Sequence, residues 1–316
     1  MSLESGWETR TFPSPTDAVI AYRHAEAAEP AKGILLISHG LAEHSKRYRP
    51  FAEAMTREGY HVYAWDHRGH GETTAPDAPI GRFALRNGVR IVVDDLMAVR
   101  EKAITDHPGL PVILFGHSMG GLIALNAAID HPRSFEGVAI WNSNFNPGLA
   151  GRVAQGLLLA ERALKGSDTP SGLLPRVTFG AWGNSIPGHR TAFDWLSHEP
   201  AEVDAYIADP LCGFDASVSL WLDLFEMTFR APKLSDRLPK DLPVHLLGGG
   251  EDPATDNGKE VLWLSGLLRK SGLFNVTTRF WPNARHETLN DTMRAEATAE
   301  FADWARAIGS TAGMTS

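Results

Sequence analysis

The feature that most constrains the fold of this chain is a regular alternation of short apolar runs and helical segments. Four apolar runs, typical of strands buried on both faces of a sheet, lie at residues 33–38, 60–65, 111–115 and 135–141. Helical segments separate them, at residues 50–59, at residues 89–107 and from residue 119 to about residue 130. This alternation predicts right-handed βαβ units, and therefore an α/β fold with a mostly parallel central sheet flanked by helices.

The alternation is interrupted after residue 141. Residues 142–241 carry Gly and Pro punctuation and helical pieces but no clear strand, whereas a strand at 243–247 resumes the pattern. A structureless loop of that length is rare in a compact protein, so we predict an inserted helical cap. The predicted domains are a core of residues 1–141 and 242–316 and a cap of residues 142–241.

We also predict elements before the alternation, within the cap and after it. Two strands within residues 7–24 precede the alternation, and an amphipathic helix occupies residues 153–164 of the cap. After the cap we expect a helix at 257–271, a strand at 274–281, a closing helix at 289–308 and a disordered tail at 309–316.

Composition limits the possible partners. The chain has 30 Lys and Arg against 38 Asp and Glu, a net charge of −8, which argues against nucleic acid or an anionic membrane surface as the main partner. Cys212 is the only cysteine, so no intrachain disulfide can form. Since we find neither a signal-like N-terminus nor an apolar run long enough to span a membrane, we expect a cytoplasmic protein without an integral membrane segment.

The clearest chemical motif is Gly-His-Ser-Met-Gly at residues 116–120, which matches G-x-S-x-G. It stands between a predicted apolar strand and a predicted helix, the context of a nucleophile elbow. Such an elbow is a strained turn that exposes a serine hydroxyl, and its glycines avoid collisions with the neighbouring strand and helix. We therefore predict that Ser118 is a catalytic nucleophile rather than part of a chance Gly/Ser turn.

A serine nucleophile needs a general base and an acid that orients the base. In this type of site the order along the chain is Ser, acid, His, with the acid and the base on loops after later strands. His286 follows the last predicted strand, and Asp252 follows the strand at 243–247, where Glu251 and Asp256 are its competitors. Helix capping is the alternative role for Asp252.

The oxyanion of a tetrahedral intermediate requires preorganised N–H donors. We predict the backbone N–H groups of Met119, directly after the nucleophile, and of Leu41, in the loop after the strand at 33–38. The four histidines of the N-terminal loops lack the spacing of metal ligands on a helix, and no glycine-rich segment is followed by G-K-[ST]. These histidines are His39, His44, His67 and His70. We therefore predict neither a metal nor another cofactor.

Several stretches resemble the monoacylglycerol lipase and lysophospholipase branch of the α/β-hydrolases, which is grouped with the serine aminopeptidase-like hydrolases. They are residues 38–48 (SHGLAEHSKRY), 66–71 (DHRGHG), 116–121 (GHSMGG), 209–211 (DPL) and 285–290 (RHETLN). The resemblance implies an α/β-hydrolase fold and a lid over an apolar acyl pocket. It also implies ester substrates such as monoacylglycerol or lysophospholipid, and transient contact of the cap with a membrane or micelle.

The resemblance also implies that Glu43 and Arg47 help to hold the glycerol end of the substrate. A salt bridge within their own loop is the alternative reading of these two residues. The chain departs from relatives that place a second histidine shortly after the catalytic one, because it has Thr288 and Leu289 there. This departure argues against glycerol-ester specificity but not against ester hydrolysis.

Other functions remain open at this stage. A thioesterase, a peptidase or an acyltransferase can use the same three residues, because the fold alone does not fix the reaction. A binding protein derived from a hydrolase is the alternative from another class, and the presence of all three residues argues against it.

Overall fold

One sheet forms the centre of the part of the chain that the computed structural model describes, residues 7–312. Its strands are β1 (Arg10–Pro13), β2 (Val19–Ala25), β3 (Gly33–Ser38), β4 (Tyr60–Trp65), β5 (Val112–His117), β6 (Gly137–Trp141), β7 (Val244–Gly249) and β8 (Val276–Trp281). Their spatial order is β1-β2-β4-β3-β5-β6-β7-β8. Only the pairs β1–β2 and β2–β4 of this sheet are antiparallel, so the predicted mostly parallel sheet is confirmed.

Helices cover both faces of the sheet. They are α1 (Arg49–Arg57), α2 (Gly88–Asp106), α3 (Met119–Asp130), α4 (Gly148–Lys165), α5 (Ala181–Ser185), α6 (Pro200–Ala208), α7 (Val218–Leu234), α8 (Lys259–Lys270) and α9 (Arg294–Ala312). Alternate residues of each central strand point to opposite faces, so β3 contributes Leu35 and Ile37 to the core under α1 and α9. Ile34 and Leu36 of the same strand join the core under α2, α3 and α8.

The stretch between β6 and β7 is helical, as the interrupted alternation predicts. It contains α4 to α7, and its only strand-like pairing among the described residues is an isolated bridge between Pro170 and Ser217. The Ser217 hydroxyl accepts the backbone N–H of Leu220 and so caps the start of α7. Because α7 packs against α2 and α3 of the core, the limits of a separate cap at residues 142 and 241 stay a prediction.

The closing helix differs from its predicted bounds. It begins at Arg294 instead of residue 289, because Asp291 accepts the backbone N–H groups of Arg285 and His198 and holds the chain extended there. It also continues to residue 312, so the predicted disordered tail is wrong for 309–312, and residues 313–316 lie outside the described part. Among residues 7–312, no helix combines the length and apolar character that crossing a membrane requires.

Candidate active site

Ser118 lies in the tight turn between β5 and α3. Its backbone angles are φ 52° and ψ −117°, a conformation that side-chain-bearing residues rarely adopt. A Cβ atom on Gly116 would collide with the backbone of Gly120, and one on Gly120 would collide with the carbonyl group of Ser38. The two glycines therefore permit the sharp turn that projects the Ser118 hydroxyl beyond the end of the sheet.

The structure brings Ser118, His286 and Asp252 together, although 168 residues separate the first two along the chain. The Ser118 Oγ lies 2.9 Å from His286 Nε2, and His286 Nδ1 lies 2.9 Å from Asp252 Oδ1. All three residues leave the carboxyl ends of parallel strands, β5, β7 and β8, where side chains from distant segments meet. This geometry allows the hydroxyl to donate to the imidazole and the imidazole Nδ1–H to donate to the carboxylate.

The Asp252 carboxylate is fully buried and accepts four hydrogen bonds. Its Oδ1 accepts from His286 and from the Ala254 N–H at 3.0 Å, and its Oδ2 accepts from Asn142 at 3.0 Å and Thr255 at 2.8 Å. Burial alone would raise the pKa of Asp252, but the imidazole and these donors hold it below its ordinary value. Asp252 thus caps the short turn at 253–255 and also contacts His286, so the two readings of this residue are compatible.

The two predicted oxyanion donors lie beside this group. Leu41 and Met119 line the same cavity as Ser118, and within the described residues neither backbone N–H donates a hydrogen bond. Gly40 allows the loop to pack closely here, because a Cβ on it would lie 2.7 Å from Glu43 Oε1 and 3.1 Å from His117 Nδ1. The His39 ring supports the loop, because its Nδ1–H donates to the Gly40 carbonyl oxygen at 2.8 Å.

Glu43 and Arg47 form a buried ion-pair network. Arg47 lies 2.8 Å from Glu43 and makes two contacts of 2.6 Å to the carboxylate of Glu287. Glu43 also accepts the Gly40 N–H at 2.6 Å and the Tyr48 hydroxyl at 2.8 Å. Burial would raise the pKa of Glu43, but its charged and hydrogen-bonding neighbours hold it well below the ordinary value. The geometry favours the salt-bridge reading, and contact of Glu43 and Arg47 with substrate stays a prediction.

Three residues that the sequence reading did not single out contact His286 or Asp252. His117 Nε2 lies 3.0 Å from the His286 carbonyl oxygen, and the Trp195 ring centroid lies 4.9 Å from that of His286. Asn142, which binds Asp252, directly follows β6 and has a left-handed φ of 51°. Its place at the carboxyl end of a central strand was the available signal, whereas His117 occupies a variable position of the motif and Trp195 lies in the irregular cap.

A cavity of about 1030 Å³ opens at the Ser118 hydroxyl. Its walls come mainly from apolar and aromatic side chains of the stretch between β6 and β7. The lining aromatics of that stretch are Phe179, Trp182, Phe193, Trp195, Tyr206, Trp221 and Phe225. The apolar side of α4 also faces this space through Leu149, Val153 and Leu157, which explains why these side chains remain exposed. The cavity therefore suits a long apolar group whose reactive end lies at Ser118.

Two groups of side chains within residues 7–312 could hold a metal ion, and neither includes Ser118, Asp252 or His286. They are His24, Glu26, His61 and His107, and His44, Asp209 and Cys212. Of the four histidines weighed from the sequence, only His44 belongs to either group, and it contacts Asp209 at 2.9 Å.

Comparison with known proteins agrees with the motifs. The family described as "Serine aminopeptidase, S33" matches residues 29–293. Monoglyceride lipase of Rattus norvegicus is 29% identical over 267 residues, which cover 84% of this chain and 78% of that protein. Phospholipase YtpA of Bacillus subtilis is 27% identical over 269 residues, covering 85% of this chain and 93% of that protein.

Solved structures agree with the fold. A thermostable carboxyl esterase from Bacillus coagulans, in complex with glycerol, superposes with a TM-score of 0.87 at 24% identity and covers 96% of this chain and 99% of that chain. This likeness confirms the α/β-hydrolase fold, and the family match extends over most of the sequence. The chain therefore belongs to the serine aminopeptidase S33 family of α/β-hydrolases, as the resemblance of its motifs predicted.

Proposed function

We propose that this carboxylic ester hydrolase cleaves esters of single-chain acyl lipids, monoacylglycerol or lysophospholipid, through an acyl-enzyme on Ser118. The observation that carries the proposal is the contact of Ser118 with His286 at the inner end of a large apolar cavity. The monoglyceride lipase and phospholipase relatives support this substrate class.

The proposed reaction has two halves. In the first, His286 Nε2 takes the Ser118 proton while Oγ attacks the ester carbonyl carbon, and the N–H groups of Leu41 and Met119 donate to the oxyanion. His286 then gives the proton to the departing alcohol as the ester bond breaks. In the second half, a water loses a proton to His286 and attacks the acyl carbon. The bond between this carbon and Ser118 Oγ then breaks as His286 returns the proton to Oγ, which releases the fatty acid and restores Ser118. Asp252 keeps the proton on His286 Nδ1 and stabilises the imidazolium.

The cavity supports an acyl chain as the part of the substrate that is recognised. Its walls are mostly apolar, and a chain placed along α4 and α7 would keep its ester carbon beside Ser118. Leu159 and Leu164 of α4 are 44% and 86% exposed and do not line the cavity, which supports transient contact of this helix with a micelle or membrane that supplies the lipid.

A hydrolysis panel tests the proposal. Turnover of p-nitrophenyl esters of increasing chain length is compared with turnover of monoacylglycerol and lysophosphatidylcholine, using the parent chain and Ser118→Ala. We expect long acyl chains to be favoured, and Ser118→Ala to fold normally and to lose turnover. Residual turnover within about tenfold of the parent would defeat the assignment of Ser118, and a preference for acetyl esters over all long-chain substrates would defeat the lipid assignment.

A further inference from the structure

A cluster of three histidines and a glutamate lies near the β1–β2 end of the sheet, and none of its members lines the active-site cavity. His24 lies in β2 and Glu26 follows two residues later, so strand alternation places both on one face. β2 runs antiparallel to β4 with His24 opposite Tyr63, which brings His61 to the same face beside Glu26. His107 directly follows α2 and covers this face from above.

The distances within the cluster fit a shared metal ion. His24 Nε2 lies 3.3 Å from His107 Nε2, and the two ring centroids are 5.2 Å apart. Tetrahedral zinc with Zn–N bonds of about 2.0–2.1 Å separates its ligand atoms by about 3.3–3.4 Å, so this pair already has the required spacing. One donor atom from each of the four side chains lies within 4.8 Å of the others. The ring centroids of His61 and His107 are 3.6 Å apart in a stacked arrangement, so His61 must tilt to bind. The exposed Glu26 already reaches the cluster, with carboxylate oxygens 2.9 Å from His61 Nδ1 and 3.7 Å from His24 Nδ1.

The hydrogen bonds around His61 leave two lone pairs facing each other. His61 Nδ1 accepts the backbone N–H of Ala27 at 3.2 Å, and a Glu26 carboxylate oxygen lies 2.9 Å from the same nitrogen. An unprotonated nitrogen and a carboxylate oxygen repel at this distance unless a proton or a metal ion compensates them. A metal ion placed between the two groups would accept both lone pairs, and neutral imidazole is the form of histidine that binds metals.

We propose that His24, His61, His107 and Glu26 form a binding site for a zinc ion that joins β2, β4 and the end of α2. Three imidazoles with one carboxylate suit zinc, whereas calcium and magnesium prefer ligand sets made of oxygen atoms. The exposed guanidinium of Arg10 lies 3.4 Å from His24 Nδ1 and has to move into solvent when the ion binds.

Zinc titration of the full chain tests this site. The protein is stripped with a chelator and titrated with Zn²⁺ against a chromophoric competitor, and its melting temperature is recorded with and without Zn²⁺. We expect one equivalent of Zn²⁺ to bind and to raise the melting temperature. The His107→Asn substitution should weaken this binding by at least about 10-fold, because loss of even an outer-shell partner of a ligand typically costs about 10- to 100-fold. Mg²⁺ at the same concentrations should not raise the melting temperature.

His131→Asn is the matched control, because His131 follows Asp130 at the end of α3 just as His107 follows Asp106 at the end of α2. It should bind Zn²⁺ like the parent. Cys212→Ser tests the second group of potential ligands and should also keep the binding. His24→Gln gives an independent loss, and melting temperatures without Zn²⁺ show whether each variant is folded.

Three results would overturn the proposal. One is that the stripped parent takes up no Zn²⁺ in competition with the chelator. Another is that folded His107→Asn and His24→Gln bind Zn²⁺ as tightly as the parent. The third is that Cys212→Ser abolishes the binding, which would place the ion at the other group.

Discussion

The Asp252→Asn substitution gives a prediction that depends on the direction of each hydrogen bond to this side chain. Both oxygens of the carboxylate accept two donors, so the new NH₂ group must face donors wherever it lies. At the Oδ1 position it would face the backbone N–H of Ala254, which cannot turn away. At the Oδ2 position it would face the hydroxyl of Thr255, which can rotate, and the amide of Asn142, which can flip.

The flip of Asn142 has a partner available, and it gives up only the long 3.4 Å hydrogen bond from Asn142 to the Arg285 carbonyl oxygen. Its Oδ1 now accepts the Thr288 hydroxyl at 3.2 Å, and the same hydroxyl can accept the Asn142 NH₂ group after the flip. We therefore expect the amide introduced by Asp252→Asn to place its NH₂ at the Oδ2 position and to keep a carbonyl oxygen on His286 Nδ1–H.

This orientation determines the size of the effect. The imidazolium loses a charged partner but keeps its tautomer, which costs about 1.5–3 kcal/mol of transition-state stabilisation, or roughly a 10- to 150-fold loss of kcat. A reversed amide would leave the wrong tautomer on His286 and cost about 10,000-fold. The assay is kcat for a p-nitrophenyl ester, with Asp256→Asn as the control because Asp256 is exposed and, within residues 7–312, forms its one ion pair with Lys259. A loss near 10,000-fold, or an equal loss in the control, would refute the reasoning.

Two further predictions concern stability. Burial lowers the pKa of His70 and His245 to about 3, so both contribute stability that is present above pH 6.5 and lost as the pH falls towards 3. Between pH 6.5 and 4.5 these two histidines together lower the free energy of unfolding by about 4–5 kcal/mol. Asp223, whose pKa burial raises to about 7, raises the free energy of unfolding by about half of that amount over the same range. Urea unfolding should therefore show a clear fall in the free energy of unfolding over this range, and a constant value would contradict it. Arg47→Met removes the guanidinium that pairs with the two buried carboxylates of Glu43 and Glu287, and it should destabilise the fold by about 3–5 kcal/mol. Arg49→Met, which breaks an ion pair 43% exposed on its arginine side, should cost less than about 1 kcal/mol, and equal costs would contradict the buried network.

The sequence predicts the sheet well because its central strands are buried on both faces and read as continuous apolar runs. The positions of Ser118, Asp252 and His286 are predictable for a related reason. Parallel strands end at one edge, so residues that directly follow them meet there whatever their separation along the chain. The predicted start of the closing helix is wrong because the start depends on Asp291. The partners of Asp291 include the distant residue His198 as well as the preceding loop.

The contacts within the side-chain networks could not be predicted from local sequence patterns, because their members lie far apart along the chain. The partner that holds Arg47 in two contacts is Glu287, 240 residues away, and no spacing rule relates them. The same holds for His24, His61 and His107, which belong to three separate elements and meet only through the pairing of β2 with β4. Sequence spacing tests only histidines that are close along the chain, such as His39 and His44. The ligands of a metal ion are instead defined by their distances in space.

The central claim is that Ser118 carries the acyl group during turnover. It is tested most directly by acid-quenching the parent chain during turnover of a long-chain p-nitrophenyl ester and mapping the modified peptide by mass spectrometry. We expect one acyl group, attached to Ser118 in the peptide that contains residues 116–121, and none on Ser118→Ala. Finding the acyl group of an active enzyme on another residue would contradict the claim. Reaction of a fluorophosphonate probe at a residue other than Ser118 would contradict it as well.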